Sequence, residues 1–380
     1  MPTIDLSQVP LIDNHCHGIY CDGGRIDPTR WRAFLTEGTG AETTGEHVAT
    51  TLVYRRLIHR LARFFGCDDR EEAVLRERAQ VSTEDLTAGL LSAANLEALV
   101  LDTGLPPPAE IFSHEDMERM GNLRVAPLLR VEITMQDLIG EVDTLGALEE
   151  GLRHALADVR GAGYVGLKTI VAYRTGLDIC RWPREDAERA FSEARALAQR
   201  EGTLRLAHKP LLDTLLHIVF EEASRQELPV QFHTGYGDTD ADMIRANPLY
   251  LRHVLDGDAY QGMSVVLLHE CYPYTRQGGY MAALYDRVYL DLSYAIPFLG
   301  YGEMEDFTRS AFGVAPYSKL LYSSDAIRIP ELHWVSAIDG RRIIGDVLGE
   351  IVRTGDLTAA EAESAGESVL RGNAARLYGI

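Results

Sequence analysis

The stretch LIDNHCHG, residues 11–18, places two histidines one residue apart. Side chains alternate between the two faces of a strand, so His15 and His17 point the same way if this stretch is extended. Two imidazoles on one rigid strand form a pre-set pair of metal ligands. A third histidine and a carboxylate from elsewhere would complete a mixed nitrogen and oxygen shell suited to zinc, iron or manganese. The candidates are His233 in QFHTG, His269 in LLHEC and Asp325 in SSDA, with Lys168 in GLKT. Taken singly, each has a plainer reading: His233 as a core histidine, Asp325 as a turn residue. They stand out together because each ends a short apolar run or, for Lys168, lies within one.

Eight such runs, rich in β-branched residues, cover residues 9–13, 96–103, 124–131, 164–172, 228–234, 264–270, 288–293 and 319–325. Most are separated by helical stretches, among them LEEGLRHALADVRGAG and EDAERAFSEARALAQREG, each closed by glycine. This alternation predicts an α/β fold, a (β/α)8 TIM barrel of parallel strands, as a single domain over residues 1–380. A parallel barrel opens the C-terminal ends of its strands on one face. His15, His17, Lys168, His233, His269 and Asp325 are therefore expected to converge there. Residues 21–90 are too long for one connecting loop. Amphipathic stretches such as EHVATTLVYRRLIHRLARFFG and EEAVLRERAQ mark them as a helical insertion after the first strand, a lid over the site. TAAE at 358–361 is a capping box opening a C-terminal helix. GAGYVG at 161–166 fits a dinucleotide-binding pattern but follows a helix and leads into a strand. That order cannot set a helix N-terminus on a pyrophosphate, so the stretch reads as a helix stop and turn.

Lys168 leaves two readings open. A bare ammonium is repelled by metal cations, whereas its carbamate, formed with carbon dioxide, is an anion able to bridge two of them. Alternatively one metal binds, and Lys168 holds an anionic part of the substrate. Both states accept an anionic substrate.

The net charge of −20 over 380 residues argues against a nucleic-acid or anionic-membrane partner, since either needs clustered lysine and arginine. A small-molecule substrate is the expected partner. The five cysteines are scattered with no CxxC pair, which fits a reduced, cytoplasmic setting. The opening MPTIDLSQVP lacks the basic start and apolar run of a leader, and no apolar stretch is long enough to span a bilayer.

GLKTIVAYRTGL (166–177), FHTGYGDTD (232–240), NPLYL (247–251), LLHECYPYTRQGGYMA (267–282), VYLDLS (288–293) and LLYSSDA (320–326), with the HxH pair, resemble the amidohydrolase superfamily of metal-dependent barrels. The resemblance is closer to the branch containing the amidohydrolase half of FluG-type proteins fused to glutamine synthetase. It implies a metal-dependent amidohydrolase cleaving a C–N bond with metal-activated water, with zinc the first choice of ion, manganese or iron the others, and one or two ions bound. It implies His15, His17, Lys168, His233, His269 and Asp325 as ligands. Asp325 would take the proton from water and pass it to the leaving amine. His269 would bind the second metal, or act as an acid where one metal binds. The fused relatives imply a γ-glutamyl or related amide as substrate. Arg174 and Arg276 are the candidates for gripping its carboxylate, against a plainer role in loop salt bridges. Tyr173, Tyr236 and Tyr272 are candidates for lining the pocket. A homodimer is expected from barrels of this kind. The alternative activity is that of a non-oxidative decarboxylase, a C–C lyase on the same scaffold; a non-catalytic binding barrel is a third reading, disfavoured by retention of every ligand position.

Overall fold

The computed structural model describes residues 3–22 and 26–380; residues 23–25 of the expected insertion and the first two residues of the chain lie outside it. Eight strands form one sheet in sequential order. They are β1 (Leu11–Cys16), β2 (Leu96–Asp102), β3 (Arg124–Arg130), β4 (Gly166–Thr169), β5 (Pro229–Phe232), β6 (Ser264–Leu267), β7 (Val288–Ser293) and β8 (Leu320–Ser323). The registered pairs are parallel, as in Lys168 beside Gln231 and Val266 beside Tyr289. Just past β8, the Asp325 N–H donates to the His15 carbonyl at 2.9 Å. With helices around these strands, the fold is the expected (β/α)8 barrel. GAGYV, 161–165, lies in the turn after the helix Leu145–Ala155, and the closing Gly166 opens β4.

The chain divides into two compact units. The first comprises Met1–Ala126, Gly237–Thr239 and Asp291–Ile380; the second comprises Pro127–Tyr236 and Asp240–Leu290.

In the first unit, the segment between β1 and β2 folds mainly into the helices Leu52–Phe65, Glu71–Arg78 and Thr83–Ala94. Tyr54, Leu57, Ile58 and Leu61, at helical spacing, form the buried stripe of the first of these. Its start differs from the expected amphipathic run. The Thr51 side chain accepts the Tyr54 N–H and caps the helix there, so EHVATT becomes a π turn and a 3-10 turn. Gly66, at φ +69°, closes the helix in the left-handed region. The first two of these helices are tied to the long helix Pro330–Thr354 by ion pairs. Arg56 and Arg60 flank the buried Asp339 at 2.9 and 2.5 Å, and Arg78 reaches the buried Glu331 at 2.6 Å. The capping box at Thr358 and Glu361 is formed as expected.

In the second unit, β4, β5 and β6 are short and buried along their whole length. Burial on both faces is normal for a parallel strand covered by helices, and accounts for their continuous apolar runs. Among the described residues, no helix is long and apolar enough to cross a membrane.

Candidate metal centre

In the first unit, the period of β1 turns the rings of His15 and His17 toward the same neighbour. Their centroids lie 5.0 Å apart, at 79° to each other. His15 Nε2 is 3.4 Å from Asp325 Oδ1, and His17 Nε2 is 3.6 Å from the same oxygen. The other nitrogen of His17, Nδ1, lies 3.1 Å from the Leu105 carbonyl, which can only accept. That contact fixes the Nδ1–H tautomer in a neutral ring and leaves the Nε2 lone pair facing a carboxylate oxygen. A cation between two such acceptors relieves their repulsion. Zinc bonds of about 2.0–2.1 Å in a tetrahedral shell set neighbouring ligand atoms about 3.4 Å apart. The two imidazole-to-carboxylate spacings, 3.4 and 3.6 Å, thus fit a divalent ion.

Asp325 takes a left-handed backbone, φ +56°. A non-glycine residue there carries strain of about 1 kcal/mol or more, sustained by the surrounding structure. The Asp325 N–H bond to His15 O supplies part of that support.

In the second unit, β5 delivers His233 one residue past its end, and β6 delivers His269 two past its end. His233 Nδ1 and His269 Nε2 are 2.9 Å apart, and His233 Nε2 donates to the Tyr236 carbonyl at 2.7 Å. His269, Glu270 and Cys271 have successive φ values of +59°, +47° and +55°. This strained turn is held by Cys271 N–H to Leu268 O and Tyr272 N–H to His269 O, at 3.0 and 2.8 Å. Gly235 is required nearby. It sits at φ +71°, and a Cβ there would lie 2.2 Å from the Tyr272 carbonyl oxygen. Lys168 is buried within β4, paired across to Arg130 and Gln231.

The remaining candidates divide. Tyr173 packs on His233 with ring centroids 4.3 Å apart, and Tyr236 stands edge-on to His269 at 5.4 Å. Tyr272 is half-buried and meets this group through its backbone, its carbonyl accepting the Tyr236 N–H at 2.8 Å. Arg174 is half-buried just past β4, and its buried Nε has no hydrogen-bond partner. Burial, reinforced by the positive charges of Arg205 and Arg130, pushes its pKa down against the pull of Glu132 and Asp240. An anion beside it would relieve both effects. Arg276 is exposed in the first turn of the helix Thr275–Leu284.

Sequence reasoning missed several groups. Asp102 is buried at the end of β2, 4.0 Å from His17 Nδ1; its place closing LVLD was a visible signal. Glu132 is buried beside β4 and accepts from Thr169 Oγ1 and the Ile170 N–H. Glu37, from the segment after β1, had no signal. Burial, then the charges of Asp325 and Asp238, raise its carboxyl to about 7, against the opposing pull of Arg328.

A carboxyl raised on folding stabilises the folded state fully below its unfolded value and less as pH climbs through the folded one. In metal-free protein, native stability should therefore fall relative to Glu37→Gln between about pH 4.5 and 7, approaching a difference of about 3 kcal/mol. Denaturant midpoints of the two proteins across that range check this.

Residues 140–380 match the sequence pattern of the family described as Amidohydrolase. The chain is 28% identical to protein fluG of Emericella nidulans over 97% of its own length. It spans 45% of that curated relative, under half. It is also similar to a crystal structure described as that of a metal-dependent hydrolase from Lactobacillus casei ATCC 334. There the TM-score is 0.87 at 28% identity, covering 99% of this chain and 98% of the other. Uronate isomerase from Thermotoga maritima shares the fold at a TM-score of 0.69 and 16% identity, covering 98% and 95% of the two chains. With its matching pattern running through β4–β8, this chain belongs to the amidohydrolase family.

Proposed function

We propose that this chain is a metal-dependent hydrolase that cleaves the C–N bond of a small, carboxylate-bearing amide, with a γ-glutamyl amide as the substrate class. His15, His17, His233, His269 and Asp325 would hold the metal, and Lys168, as a carbamate, would add an anionic ligand for a second ion. Zinc suits this imidazole and carboxylate set, with manganese or iron next. The observation that carries the reading is the convergence of the His15 and His17 imidazoles on one oxygen of Asp325, with His17 already committed at its other nitrogen. The likeness to fluG and to the Lactobacillus hydrolase supports it.

A divalent ion bound there lowers the pKa of water and polarises a carbonyl. Asp325 is the general base: it takes the proton of the attacking water and returns it to the departing nitrogen. Its side chain is 17% exposed, open enough to meet a substrate. His17 keeps its orientation through Leu105, and His233 through Tyr236, so neither ring must reorganise as charge develops. Arg174 grips the substrate carboxylate, its free Nε–H one of the paired donors that match it. Tyr173 and Tyr236 form the apolar wall against the histidine rings.

The test is product analysis on a panel of γ-glutamyl and N-acyl amides, with protein prepared without chelators. Release of amine that stops on metal removal is the expected result. Release of carbon dioxide from carboxylates without any amine would instead select the C–C lyase.

A further inference from the structure

Outside the proposed ligand set, the first unit holds a second cluster of metal-ligand type: Asp13 and Cys16 of β1 and His333 of the helix Pro330–Thr354. All are fully buried. One donor atom from each lies within 4.8 Å of the others.

His333 is the independent pointer to a ligand. It has no exposed surface, and neither ring nitrogen has a hydrogen-bond partner. Its Nδ1 is 3.8 Å from Asp13 Oδ2, too far for a hydrogen bond. A buried imidazole always carries at least one N–H, and leaving both nitrogens unsatisfied costs about 1–3 kcal/mol for each group. Protonating the ring does not help, because both nitrogens would then be donors without acceptors.

Asp13 has the complementary deficit. Its Oδ1 accepts the backbone N–H groups of Ser324 and His15, at 2.8 and 3.3 Å, and its Oδ2 accepts the Ser324 hydroxyl. Those donors are neutral. A carboxylate has about four lone-pair sites, so one remains. A buried carboxylate without a counter-charge is costly, and a cation beside it removes that cost.

We propose that Asp13, Cys16 and His333 form a buried structural zinc site, separate from the ligands at the strand ends. On binding, the Cys16 thiol releases its proton to solvent and the thiolate bonds the metal. One thiolate, one carboxylate, one neutral imidazole and one divalent ion sum to zero charge, which suits a fully buried pocket. Sulfur, nitrogen and oxygen donors together are a zinc-type set. Bonds of about 2.0–2.3 Å set donors about 3.5 Å apart, so side-chain shifts of about 1 Å bring all three within reach of one ion. Full burial means the ion enters during folding. It would pin β1 to the helix Pro330–Thr354.

The test replaces zinc with cobalt(II) during expression. The strand-end ligands contain no sulfur, so they give no thiolate-to-cobalt charge-transfer absorption. The account predicts that absorption in the native cobalt protein, its loss in Cys16→Ser, and its survival in the His15→Asn/His17→Asn double variant. That double variant separates this site from the proposed catalytic one. Absence of the band in native cobalt-loaded protein overturns the proposal, a result that depends on no variant folding. Persistence of the band in folded Cys16→Ser also overturns it, by assigning the sulfur to another cysteine.

Discussion

Asp325→Asn should lower kcat/KM for the amide substrate by about 10³-fold or more while leaving the fold intact. Asparagine keeps the shape and the backbone N–H that reaches the His15 carbonyl. It cannot accept a proton at neutral pH and is a poorer metal ligand. The loss should fall mainly on kcat, because a general base acts in the transition state rather than in substrate binding. Steady-state kinetics at saturating metal, with circular dichroism on both proteins, check this. A variant with near-native kcat would remove Asp325 from proton transfer.

The second large effect is on stability. The Arg78–Glu331 pair has almost no exposure on either side, and the Arg78 guanidinium also lies 5.4 Å from the centroid of the buried Trp31 ring. Glu331→Ala leaves that guanidinium buried without its counter-charge and should cost about 3–5 kcal/mol. The double change Arg78→Met/Glu331→Leu removes both charges and should recover most of that loss, since a buried pair is often no better than apolar residues of similar volume. Denaturant midpoints of the single and double variants measure it. A loss under about 1 kcal/mol in the single variant would show the pair to be solvated. The pair matters to function through place: the helices it anchors follow the segment carrying Glu37, whose carboxyl senses Asp325.

The barrel was legible because parallel strands covered on both faces are written as short continuous apolar runs, and each of the eight runs contains or overlaps one strand. Their ends were less legible. β5, β6 and β8 stop before His233, His269 and Asp325, because at β6 and β8 the chain leaves the strand through left-handed residues that no hydrophobic period announces. The pairing of His15 and His17 was legible from strand alternation alone, which requires no knowledge of neighbours.

Other groups depend on tertiary contacts that sequence spacing does not encode. The Leu105 carbonyl that orients His17 is a backbone atom from a loop 88 residues away. Glu37 sits in a segment with no strand alternation to place it. His333 reads as an ordinary helical histidine, and only the burial of its helix on nearly every side reveals the orphaned ring. Arg276 and Arg174 had equal standing in the sequence, each just beyond a strand. Their separation came from packing: one lies on an exposed helix turn, the other half-buried among positive neighbours.

The most direct test of the central claim is metal content, per chain, of native protein and of His15→Asn/His17→Asn purified side by side without chelators. The account predicts that the double variant stays folded and holds at least one fewer ion per chain, with amide turnover lost. Equal metal content in the two proteins, or turnover retained in the variant, would contradict it.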